Sequence, residues 1–308
     1  MINISYRQKY NGLPVLSWDE IDIIAETMLK DYNPELLSTP QPVDIELLMQ
    51  DYLKLYVEYQ YLSNNESILG MMVFHNMNGI VVYEPENDGI KRINAKANTV
   101  IIDNSLLEQS QRNRFRFTMA HEAGHATLHQ LYFTRQMNDM ASAARLGSYA
   151  SEIKRCVKCR AVDVNVKSRL LETDDDWMEW QANAFASAIL LPKSMVFKVA
   201  EDCKRRYPSF CDNPGSTVYE QYIAGTFDVS REAARCRLNQ LGIYTDAQRT
   251  AMTVEEMDMI YSDIESGHAY VNAEGELMYY TAKELEERAS MENLNKVIHG
   301  RSKKKRKR

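Results

Sequence analysis

The sequence predicts an α+β fold in which a small sheet packs on one long, histidine-bearing helix and a helical pair follows towards the C-terminus. Three observations carry that expectation. Short β-rich segments separated by Asn and Gly precede residue 110, apolar residues recur at helical spacing through 110–131 and 176–191, and two further helical stretches fall within 222–241.

The elements follow in order. Ser17 and Glu20 form a capping-box pair ahead of an amphipathic stretch at 18–29. Pro40 and Pro42 punctuate the chain, and 43–52 reads as a second helix. Segments 55–61, 71–74, 80–83 and 99–102 have β character, divided by Asn64-Asn65, Asn78-Gly79 and Asp88-Gly89. The helix at 110–131 carries the histidines, and 132–175 reads as irregular and polar. The helix at 176–191 stops at Pro192, since proline removes a donor and clashes with the preceding turn. Residues 222–226, a turn at Phe227-Asp228-Val229, and 231–241 read as helix–turn–helix, with Ser230 capping the second helix and Gly242 ending it. Further on, capping boxes at Thr253/Glu256 and Thr281/Glu284 flank a hairpin-like stretch at 269–280. The expected divisions are a catalytic domain at 1–200, a helical subdomain at 201–245, an appended α/β segment at 246–300 and a basic tail at 301–308.

The totals exclude several classes. Hydrophobic residues make up 44 % and charged residues 26 %, so disorder is not the overall description. No apolar run approaches the ~20 residues that span a bilayer, so no membrane partner is expected. Residues 1–18 read polar, without the pattern of a signal peptide. Five cysteines, an odd and thinly spread number, point to reduced thiols in a cytoplasm. Seven basic groups fall in the last eight residues; taking them from a net charge of −6 leaves −13 on the other 300. So acidic a body repels nucleic acid, while the tail attracts polyanions or is simply solvated.

The chemistry concentrates in His121-Glu122-Ala123-Gly124-His125. Two histidines four apart on a helix share a face and can reach one ion, while Glu122 can hold a water without ligating. Catalytic zinc needs a third protein ligand. On a continuous helix His129 lies ~12 Å along the axis from His121, too far to complete the site, so it is either a supporting neighbour or simply exposed. Glu179 is the best third ligand. It begins a helix face shared with Ala182, Asn183, Ala186 and Leu190, whose small residues allow close approach, and Asn183 could accept the distal N–H of a ligand histidine. The competing Asp174, Asp175 and Asp176 suit a helix N-terminus. Gly124 is expected to allow close packing against the sheet. Strand 99–102 is expected to take substrate as an added strand at its edge.

These blocks resemble a known family. Arg116-Phe117-Thr118-Met119-Ala120-His121-Glu122-Ala123-Gly124-His125 with Leu128-His129, and Glu179-Trp180-Gln181-Ala182-Asn183-Ala184-Phe185-Ala186 leading to Leu190-Leu191-Pro192, are similar to the ImmA/IrrE metallopeptidases. Phe227-Asp228-Val229-Ser230-Arg231-Glu232-Ala233 through Leu241-Gly242 looks like a family feature too. The resemblance spans about residues 40–245. It implies a zincin-like fold, one Zn2+ held by His121, His125 and Glu179, and Glu122 as the catalytic base. It also implies cleavage of a helix-turn-helix transcriptional repressor, which releases genes of mobile elements or of a stress response. The departure lies between the two blocks: 57 residues separate His121 from Glu179, more than a minimal protease explains.

Two weaker signals remain. Cys156-Val157-Lys158-Cys159 has the spacing of half a zinc knuckle, without a second pair to close it. Arg231, Arg235 and Asn239 share a polar face, as in a DNA reader. A DNA-binding regulator with a structural zinc is therefore the alternative.

Overall fold

The computed structural model describes residues 6–145, 156–160, 171, 173–212, 216–244, 269–271 and 277–279. The chain divides into two compact units, Met1–Thr245 and Asp246–Arg308. The first is mixed α/β with small sheets.

Helix α1 (Trp18–Tyr32) begins with both arms of the Ser17/Glu20 capping box and buries Ile21, Ile24, Ala25, Met28 and Leu29. The stretch expected as one helix at 43–52 instead makes a short turn, α2 (Ile45–Leu47), capped by Asp44, that widens into a π-helical Leu48–Tyr52. Lys54, at φ 56°, then turns the chain into the first strand.

Strands β1 (Tyr56–Gln60), β2 (Ile68–Val73), β3 (Met77–Glu84), β4 (Gly89–Ala95) and β5 (Thr99–Asp103) follow. β4 escapes the sequence pattern because it is largely exposed and carries Lys91-Arg92 where apolar alternation would mark a strand. It pairs with β3 as a separate antiparallel ribbon. Helix α3 (Arg112–Leu128) ends at His129, and α4 (Gln130–Arg145) continues beyond it. The single helix expected at 110–131 is thus two, and part of the region expected to be irregular is helical.

That region also contributes a strand, β6 (Cys156–Arg160). Its short polar sequence carries no strand signature; pairing with β2 makes it one. The main sheet has the order β1-β5-β2-β6, with β1 parallel to β5 and the other pairs antiparallel. β5 is therefore internal, and the expectation that it offers an edge to substrate is overturned: both its sides are taken.

Helix α5 (Asp174–Leu190) starts with a capping box between Thr173 and Asp176, and Asp174 pairs with Lys9 and Asn11. These contacts account for two of the three acids as caps and tethers. Helices α6 (Lys193–Arg206), α7 (Pro208–Cys211), α8 (Val218–Phe227) and α9 (Arg231–Gln240) complete the unit. Asp228 in the left-handed region turns α8 into α9, Ser230 caps α9, and Gly242 at φ +68° ends it. α8 and α9 share one hydrophobic core with α1, α3 and α5.

In the second unit the described residues form an antiparallel ribbon, β7 (Ala269–Val271) with β8 (Leu277–Tyr279), inside the hairpin expected at 269–280. The capping boxes at Thr253 and Thr281 and the basic tail at 301–308 lie outside the described residues. Among the described residues no helix is long and apolar enough to cross a membrane.

Candidate metal centre

α3 is buried on nearly every side because the sheet covers one flank and α5 the other. Gly124 makes the second contact possible. A β-carbon there would stand 3.1 Å from Ala182 Cα and 3.2 Å from both Ala182 O and Phe185 Cβ. The close approach expected of Gly124 is therefore to α5, not to the sheet. It brings Glu179 and Asn183 onto the histidine face of α3.

Three side chains converge there. His121 Nε2 and His125 Nε2 are 3.0 Å apart, and the Glu179 oxygens lie 3.3 Å from the first and 3.6 Å from the second. Edges of about 3.3–3.6 Å are what a tetrahedral ion with ligand bonds of ~2.0–2.2 Å requires. Among the described residues, His121, His125 and Glu179 form one of two groups able to hold a metal ion.

The hydrogen bonds fix which nitrogens are free to ligate. Gln181 Nε2 donates to Pro14 O, which leaves Gln181 Oε1 as an acceptor facing His129 Nε2 at 3.0 Å. Neutral His129 then carries its proton on Nε2, so its Nδ1 accepts from His125 Nδ1, also at 3.0 Å. On the other histidine, Nδ1 donates to Asn183 Oδ1 at 2.9 Å. Both Nε2 atoms are thereby left with lone pairs, facing each other and a carboxylate. Lone pairs converging on one point call for a cation, and this ligand set fits one.

His129 is fully buried, so an exposed position is ruled out, and it supports His125 rather than ligating. The same electrostatics act on protons. Burial works against a charged His121, but Cys159 and Glu179 outweigh it and raise its pKa well above the ordinary value.

Glu122 is fully buried, and neither carboxylate oxygen makes a well-formed hydrogen bond, although the backbone N–H groups of Cys159 and Met72 approach it. A buried polar group left without a partner costs about 1–3 kcal/mol, more for a charged one, so a structure retains it for a reason. Burial pushes its pKa up to about 8; Glu179 adds to the rise, while His121 and the N–H groups of Cys159 and Met72 oppose it. Gly70 on β2 leaves room for it, since a β-carbon there would stand 2.6 Å from Glu122 Oε1.

The second potential ligand group is His121, Glu122 and Cys159, whose ligand atoms all lie within 4.8 Å of one another. Burial raises the Cys159 thiol pKa, against the pull of His121. Strand alternation points Cys156 and Cys159 to opposite faces. Cys156 packs against the smaller core cluster of the β3–β4 side, so the two do not form half of a knuckle.

Sequence reasoning missed Gly70 and Gln181, and weighed Cys159 only as half of a zinc knuckle. A glycine inside a strand was the available signal for the first. Two arginines also escaped it. Arg116 on α3 donates to the carbonyls of Phe227 and Asp228, tying the α8–α9 turn to the histidine helix. Arg237 on α9, fully buried, donates to Leu191 O at the end of α5 and pairs with Asp22 on α1. On the polar face of α9, Arg235 lies 3.9 Å from Glu220, and Asn239 Oδ1 is buried.

Compared with known proteins, the chain matches no protein-family profile and no curated protein.

Proposed function

We propose that this protein is a zinc-dependent endopeptidase of zincin-like fold that cleaves a helix-turn-helix transcriptional repressor in the cytoplasm, relieving repression of mobile-element or stress-response genes. The observation that carries the peptidase reading is the convergence of His121 Nε2, His125 Nε2 and the Glu179 carboxylate beside the buried, unpartnered Glu122. The repressor as substrate rests on the resemblance to the ImmA/IrrE metallopeptidases.

Two imidazoles and one carboxylate are the ligand set of a catalytic zinc rather than a closed structural one. Zinc held there would lower the pKa of a bound water towards ~7 and polarise a carbonyl. Glu122 accepts the proton of the attacking water and delivers it to the leaving amine. Asn183 and the His129–Gln181–Pro14 relay hold the two imidazoles in the tautomer that presents Nε2. The sheet over α3 supports the zincin-like assignment, and the α8–α9 pair supports the helix-turn-helix-like one.

The alternative is a DNA-binding regulator with a structural metal. It would read DNA with Arg231, Arg235 and Asn239, but Arg235 faces Glu220 and the Asn239 oxygen is buried. Nor does a structural site explain a buried general base.

The test is to incubate the purified protein with the repressor encoded beside its gene. One defined cut is expected, abolished by a chelator and by His121→Ala. Salt-dependent DNA binding that disappears on truncation at His299, without any cut, would favour the regulator instead.

A further inference from the structure

β6 stands where an extended substrate would have to lie. β2 is the strand that brings Gly70 against Glu122, and its β5 side is already paired. Its other side is the one on which a peptide could be added beside the catalytic groups. β6 covers that side in antiparallel register, with Cys159 opposite Gly70. Among the described strands β6 is an edge, with β2 as its neighbour.

The register puts a metal-binding side chain at the reacting position. Cys159 is fully buried, and its Sγ lies within 4.8 Å of both a His121 ring nitrogen and a Glu122 carboxylate oxygen. That is the space between a metal ligand and the general base, which a hydrolytic water and a scissile carbonyl would need. Thiolate sulfur is a strong ligand for zinc, and a fourth protein ligand turns an open site into a closed one.

We propose that β6 is an intramolecular occupant of the substrate-binding edge, and that Cys159, which stands outside the three-ligand group, moves onto a bound metal as a fourth ligand, its thiol proton released to solvent on metal binding. The protein is then latent while β6 is paired with β2, and a substrate strand must displace it. This rests on the metal site described under Proposed function. It also gives a role to part of the long stretch between the two motif blocks.

Cobalt(II) loaded into the full-length metal-free protein separates the two ideas. Cobalt binding with thiolate-to-metal charge-transfer absorption in the near ultraviolet is expected. The band should be lost in Cys159→Ala and Cys159→Ser and kept in Cys156→Ala. Peptide hydrolysis by the zinc form should rise in Cys159→Ala. Cobalt bound with histidine and carboxylate spectra but no thiolate band in the native chain would overturn the proposal and leave the three-ligand site standing. A band that survives both Cys159 substitutions would also overturn it. Failure of the native chain to bind cobalt would remove the metal site itself, and the proposal with it.

Discussion

Gly70 and Glu122 face each other across the sheet–helix interface so closely that a β-carbon on Gly70 would stand 2.6 Å from Glu122 Oε1 and 3.0 Å from its Cγ. Gly70→Ala must therefore push the Glu122 carboxylate aside, and Thr118 Cγ2 at 2.9 Å blocks the other way out. A misplacement of about 1 Å can cost ~100-fold in rate. We expect peptide hydrolysis to fall by about that factor while bound metal stays equimolar, read by turnover and metal content on the same sample. A variant with native turnover would show that Glu122 does not need this position.

Asn183 and Gln181 would act on a bound metal through the histidines they orient. Removing such a partner typically costs about 10–100-fold in metal affinity. Asn183→Ala and Gln181→Ala should each weaken zinc binding by that order in a competition titration with a chromophoric chelator. Affinity unchanged in both would mean that the tautomers are not set by these contacts.

Gly124→Ala sets two effects against each other. Alanine favours a helix interior by about 1 kcal/mol. Its methyl, however, meets the backbone of Ala182 at 3.1–3.2 Å, which cannot swing aside like a flexible side chain. Steric cost should win. Thermal unfolding should show a lower Tm than native, with weaker metal binding because Glu179 rides on the displaced helix.

Arg237→Met strands Asp22 in the core and leaves Leu191 O without its donor. Breaking a buried pair from one side costs about 3–5 kcal/mol. Denaturant unfolding should report a loss of that size, and the double variant Arg237→Met/Asp22→Leu should recover much of it. An equal loss in the double variant would mean that the arginine's packing, not its charge, is what matters.

Helical spacing in the sequence was enough to place His121, His125, Glu179 and Asn183 in mutual reach, because two apolar helices with Gly124 and Ala182 at their crossing can meet only on those faces. The same spacing passed over Gln181, which lies off that face and meets His129, and left His129 open because burial depends on what packs over a helix end. Cys159 stood out only through its spacing from Cys156. Its closeness to His121 comes from strand pairing between β2 and β6, and nothing in a five-residue stretch encodes its partner. The ends of helices were read well where capping residues mark them, as at Ser17 and Ser230, and poorly at His129, where the break has no such mark.

The central claim is that Glu122 performs proton transfer at a site whose metal it does not hold. The direct measurement is cleavage of the proposed repressor substrate by native protein and Glu122→Gln, each loaded with zinc and analysed for metal. The account predicts equal zinc in both and a single cut by the native chain alone. Cleavage at a native rate by Glu122→Gln would contradict it.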